Sequence, residues 1–202
     1  MFISTNGFKK LIKDAYNNGR LVMGTTEEEF FLEGGDWVLR IDRDELPNKE
    51  KAAIIELTGE FPAAGLVFKA SKGEDNQYLI PENSVWNIGE KFKGCVEEMT
   101  VTRALYQKDG VTYRIIQNPR TQTCIPFNEK FINLLDKNAL GCEESHPEGP
   151  KAIDEKGSIL YWGNEVMTLA ILPIAVDRNE DKEFGEYLQL LENIELPEMN
   201  LF

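Results

Sequence analysis

Residues 8–41, FKKLIKDAYNNGRLVMGTTEEEFFLEGGDWVLRI, decide the fold. Phe8, Leu11, Ile12, Ala15 and Tyr16 recur at the three-and-four spacing of a helix, and Lys9, Lys10, Lys13 and Asp14 fill the opposite side. Asn17, Asn18 and Gly19 stop that helix, because asparagine and glycine accept the backbone that a helix end requires. Three β-like runs follow at 20–24, 30–33 and 37–41, divided by the turn-prone Thr25-Thr26-Glu27 and Gly34-Gly35-Asp36. The pattern predicts a helix with one apolar face, followed by a three-stranded meander.

Outward from this stretch, Pro47 and residues 49–57 ahead of Gly59 predict a second helix whose Ala53, Ile54 and Leu57 face inward. Residues 65–124 read as strands, with 98–106 and 111–116 forming a hairpin about Asp109-Gly110. Pro126 is then expected to open a helix carrying Phe127, Phe131, Ile132, Leu134 and Leu135 and ending at Gly141. Runs at 151–154, 158–162 and 165–174 follow as strands. The expected fold class is therefore α+β, with mainly antiparallel mixed sheets and three to four helices. Helix-plus-three-strands occurs twice, which divides the chain into an N-terminal half, 1–125, and a C-terminal half, 126–202. A single compact domain over 1–202 is the alternative.

The repeated element order resembles the domain plan of DNA sliding clamps. The local likeness lies in Gly149-Pro150-Lys151-Ala152-Ile153, the turn Glu155-Lys156-Gly157 and the run from Met167 to Ile174, which is similar to the way bacterial clamp domains end. The resemblance implies a layered fold with helices against antiparallel strands, and a replication scaffold. It also implies a basic inner surface facing a negative duplex, and the composition opposes that.

The chain has 202 residues, 42% of them hydrophobic, with 35 acids against 22 bases and a net charge of -13. Eleven Phe, six Tyr and three Trp give it enough apolar area to fold despite that charge, unlike a disordered acidic polymer. So acidic a chain repels phosphates, and direct nucleic acid binding is not expected. No basic flank and apolar core mark residues 1–5 as part of a secretion signal, and no run has the ~18 apolar residues of a membrane span. Cys95, Cys124 and Cys142 are odd in number and widely spaced, which fits free thiols in a reducing compartment. A cytoplasmic protein with no membrane association is the expectation.

Chemistry-bearing motifs are sparse. His146 lies in a loop with Cys142, where Glu143 and Glu144 oppose a thiolate. Cys95, Cys124, Cys142 and His146 have the atoms of a zinc tetrad but lack a Cys-x-x-Cys knuckle. Glu27-Glu28-Glu29, Asp42 with Asp44, Glu97-Glu98 and Glu143-Glu144 are carboxylate pairs of the kind that hold a divalent ion, and Asp42-Arg43-Asp44-Glu45 reads as a solvated turn. Phosphate-loop, HExxH, GxGxxG and GxSxG signatures are absent. We assign no catalytic, cofactor-binding or metal-binding residue.

Aromatic and terminal residues point to protein contact instead. Adjacent Phe30 and Phe31 must face opposite sides of a strand, and Trp162 sits at a hairpin turn. Residues 177–202 carry eight acids and two bases, and Phe184, Tyr187, Leu188, Leu191 and Ile194 mark a final amphipathic helix stopped by Pro197. Glu198-Met199-Asn200-Leu201-Phe202 resembles the short bacterial clamp-binding peptide, with Glu where Gln is usual. The candidate interaction residues are thus Phe30, Phe31, Trp162, Met199, Leu201 and Phe202. The expected function is a non-enzymatic acidic interaction module in a phage or mobile-element setting, binding a basic surface of a host protein. The alternatives are a hydrolase with a carboxylate-based, metal-dependent site and a sliding-clamp-like replication scaffold.

Overall fold

A computed structural model of the chain describes residues 1–80, 87–136, 146–177 and 180–199. Helix α1 spans Thr5–Asn17; the Ser4 hydroxyl accepts from the Gly7 amide at 3.1 Å and caps its first turn. Phe8, Leu11, Ile12 and Ala15 are buried, as the spacing predicts, while Lys9, Lys10 and Lys13 stay exposed. Strands β1 (Leu21–Thr25), β2 (Glu29–Glu33) and β3 (Trp37–Asp42) form the expected antiparallel meander. Helix α2 spans Asn48–Thr58 and ends at Gly59, whose φ of 86° is the left-handed conformation that closes the helix.

Strands β4 (Val67–Ala70) and β5 (Gln77–Leu79) extend the sheet beyond β1, and α3 (Ile88–Lys93) crosses to its other side. Strand β6 (Glu97–Glu98) precedes a separate three-stranded sheet of β7 (Thr100–Lys108), β8 (Val111–Gln117) and β9 (Cys124–Asn128). The predicted hairpin is present: Lys108 faces Val111, and the turn places Asp109 and Gly110 at φ of 50° and 76°. Then come α4 (Glu129–Ile132), β10 (Glu148–Ala152), β11 (Leu160–Gly163), β12 (Met167–Ile171) and α5 (Lys182–Leu191). The described residues thus hold five α-helices and twelve strands in antiparallel sheets, an α+β fold. No helix among them is long and apolar enough to cross a membrane.

One expectation needs correction. Residues 124–128 are a strand, and the helix begins only at Glu129, where the Asn128 side chain caps it by accepting from the Lys130 amide at 3.0 Å. Pro126 pairs opposite Ile115 in β9, and the missing amide is tolerated because β9 is the edge of its sheet. The expected helix end at Gly141 lies outside the described residues.

The large sheet has the order β5-β4-β1-β2-β3-β12-β11-β10-β6. The two meanders, β1-β2-β3 and β10-β11-β12, meet at its centre, where Leu39 faces Leu169 and Trp37 faces Ile171 in antiparallel register. The strand order is therefore mirrored about the β3–β12 pair. One hydrophobic cluster joins α1, α2 and α4 to the inward face of both meanders, including Phe8, Ile54, Phe131, Leu39 and Leu169. Burial of this face is the dominant stabilising contribution. A second cluster seats Phe184 and Leu188 of α5 on Ile115 and Cys124 of the small sheet.

Candidate functional site

Successive strand residues project to opposite faces, so the sheet has a second surface behind the main core. Helix α3 covers part of it through Ile88 packed with Tyr161 and Ala170. Beside α3 opens a cleft of about 730 Å³ whose described lining includes Arg40, Lys93, Cys95, His146, Lys151 and Thr168. Close approach of α3 depends on Gly163, since a Cβ there would lie 2.7 Å from the Phe92 ring.

The charges of this cleft are largely spent on one another. Arg40 reaches Glu29 at 2.7 Å and Asp42 at 2.6 Å, Lys151 reaches Glu148 at 2.5 Å and Glu98 at 3.3 Å, and Lys93 reaches Glu90 at 2.8 Å. The Lys93 ammonium holds the Glu90 carboxyl below its ordinary range, and the Glu148 carboxylate is the main cause of the raised Lys151 pKa. Three of the four cleft carboxylates are thus held in ion pairs, while Glu165 is exposed on the turn between β11 and β12. Burial pushes the Cys95 thiol up to about 11, against a smaller lowering by Lys151, so the thiolate form needed for a nucleophile is suppressed. The cleft can receive a polar group by hydrogen bonding.

The residues singled out from sequence are dispersed. Cys95 packs beside α3 and Cys124 lies in the small sheet, in separate hydrophobic clusters; Cys142 lies outside the described residues. Among the described residues no three His, Cys, Asp or Glu side chains are grouped to hold a metal ion. Asp42 pairs with Arg40, and Arg43–Glu45 form a short 3-10 turn. Phe30, Phe31 and Trp162 are buried. Phe30 stacks on Phe61 with ring centroids 4.9 Å apart, and Trp162 packs on Phe127 at 5.3 Å. Phe31 faces the other side of the sheet, over Gly24.

Toward the C-terminus the chain is tied down through Met199. The buried Gln117 side chain donates to the Ile194 carbonyl and accepts from the Leu196 amide, both at 2.9 Å, which fixes the exit from α5. Pro197 accepts from the Arg103 amide at 3.0 Å, Glu198 bridges Thr102, and the Met199 amide donates to Val101 at 2.7 Å. Met199 packs against the main core. Leu201 and Phe202 lie outside the described residues.

A surface not foreseen from sequence lies at the far end of the sheet. Among the described residues strand β5 pairs only with β4, and its residues are exposed together with their neighbours: Tyr78 by 59%, Leu79 by 41%, Ile80 by 91% and Leu66 by 44%. Acids border this edge. Glu60 accepts from the Tyr78 hydroxyl at 2.9 Å and from Asn76 at 2.8 Å, and Glu74 and Asp75 lie in the loop entering β5. The Tyr78 hydroxyl is made a weaker acid first by that hydrogen bond to Glu60. At the opposite end of the sheet the Glu97 carboxylate of β6 receives Asn118 at 3.0 Å and Arg120 at 2.7 Å from the β8–β9 turn.

Comparison with protein families, with curated proteins and with solved structures found no match to this chain.

Proposed function

We propose that the protein is a non-enzymatic acidic interaction module that docks on a basic surface of another protein. The observation that carries this reading is the apolar edge at Tyr78, Leu79 and Ile80, bordered by Glu60, Glu74 and Asp75 on a chain of net charge -13. Apolar side chains held in water supply affinity when covered, and the surrounding charge selects and steers a cationic partner. The pairing of Glu29, Glu90 and Glu148 with cations in the cleft beside α3 supports binding over carboxylate-based hydrolysis. A pull-down from the cell of origin, run in parallel with wild type and Ile80→Lys, tests the reading. A basic protein retained by wild type, eluted by salt and lost with the variant is the expected result. Retention unaffected by both salt and the variant would overturn it.

A sliding-clamp-like scaffold is the second reading, supported by the strand order mirrored about β3 and β12 and by the cations of the helical layer. Lys9, Lys10 and Lys13 on α1 and Lys49 on α2 are exposed there, so part of the surface is basic although the chain is acidic. Light scattering discriminates. This second reading requires a symmetric oligomer that retains duplex DNA and releases it when Lys9 and Lys13 become Glu. A monomer indifferent to DNA removes it.

A further inference from the structure

We infer that the outer edge of β5 receives an extended segment of a partner protein as an added strand, one in which basic residues alternate with apolar ones. The inference rests on the interaction-module reading and names its docking mode. A strand with one unpaired side presents a row of amides and carbonyls that water satisfies but another strand satisfies better, which is why exposed apolar edges recruit extended segments. Strand β5 is such an edge among the described residues, with Lys69, Phe68 and Val67 of β4 opposite Gln77, Tyr78 and Leu79 on its inner side.

The side chains set the composition of the occupant. Alternate projection places Tyr78 and Leu79 on opposite faces, so an added strand meets apolar surface on both sides of the sheet. Glu60, which holds Tyr78 and Asn76, and Glu74 and Asp75 in the loop entering β5 border the edge with acid, against Lys69 on β4 and Lys72. A second copy of this chain brings the same border and the same net charge of -13, whereas a basic segment brings the complement. The other end of the sheet offers a poorer template, since β6 has two residues, both Glu, and the Glu97 carboxylate already receives Asn118 and Arg120.

The test is titration of the full chain with a panel of short capped peptides in which Lys alternates with Val, Ile or Tyr, read by fluorescence anisotropy. At low ionic strength at least one peptide binds. Ile80→Lys and Leu79→Lys each weaken it by about tenfold or more, and so does N-methylation of alternate peptide amides, which keeps charge and side chains but removes donors. Ile80 is 91% exposed, so the Ile80→Lys protein is expected to keep its thermal midpoint, and the N-methyl arm needs no protein variant. Salt-sensitive binding indifferent to both variants and N-methylation overturns strand addition while leaving the interaction-module reading standing. No binding by any peptide overturns strand addition, and the pull-down then decides the interaction-module reading on its own. Self-association of wild type abolished by Ile80→Lys assigns the edge to a second copy and overturns the basic-segment inference.

Discussion

The ring of Phe31 lies directly over Gly24, its cross-strand partner, and fills the space that a side chain at residue 24 would take. This pairing explains how two adjacent phenylalanines are both buried, with Phe30 on the helical side and Phe31 on the other. A Cβ at residue 24 would overlap that ring and lie 2.9 Å from Val67 Cγ2. Gly24→Ala is therefore expected to destabilise the protein by about 1–3 kcal/mol through overpacking. Denaturant unfolding checks this, and Gly24→Ala with Phe31→Leu should recover part of the loss.

A second prediction concerns the pair that ties α4 to the small sheet. Arg114 is 6% exposed; its Nε donates to Glu129 at 2.8 Å, a second nitrogen to the same carboxylate at 2.5 Å, and a third to the Thr102 carbonyl at 3.1 Å. Glu129→Ala leaves that guanidinium buried and uncompensated, at an expected cost of about 3 kcal/mol. Replacing both partners by Met should cost less than the single change, because no unpaired charge then remains. Unfolding of wild type and the two variants decides it.

Acid stability follows from two half-buried carboxylates. Glu97 is held below its ordinary range, first by the Asn118 amide and then by Arg120, and Asp181 is held below its range by Lys108. A depressed carboxyl contributes stability that is present above its unfolded pKa and lost as pH falls through the lower folded value. Stability should accordingly fall as pH drops below about 4, and Asp181→Asn should flatten that limb. Denaturant midpoints along a pH series measure the slope.

Cys95 should be a slow thiol. With its pKa pushed up to about 11 by burial, it is almost wholly protonated at neutral pH. Alkylation at about pH 8 is expected to be on the order of a hundredfold slower than for an ordinary free cysteine, as peptide mapping would report. The same shift contributes to an alkaline limb: stability present below the unfolded thiol pKa is lost as pH rises through the folded value, and Cys95→Ala reduces that limb.

Residues 8–41 and the hairpin at Asp109-Gly110 were legible because their signals are local: helical spacing, alternation and glycine or asparagine at turns. Strand β9 was misread because Phe127 and Phe131 have helical spacing while Pro126 suits a helix start equally well. What decided it was pairing with β8, a contact between segments. The aromatic positions were legible as two-sided, but their burial depends on Gly24, Phe61 and Phe127, which only the fold brings near. The β5 edge was hidden for the same reason. Gln77-Tyr78-Leu79 reads like any short strand, and its exposure arises from being the last strand in the order. Charge was misleading in aggregate, since counting 35 acids does not reveal that Lys9, Lys10 and Lys13 share one exposed helix surface.

Amide hydrogen exchange of the full chain, with and without a tight-binding peptide of alternating Lys and apolar residues, is the most direct measurement of the central claim. Slowed exchange at Gln77–Leu79, with α1, α2 and the α3 cleft unchanged, is the predicted result. Protection confined to α1 and α2, or to the residues around Arg40 and Lys151, with β5 unaffected, would contradict it.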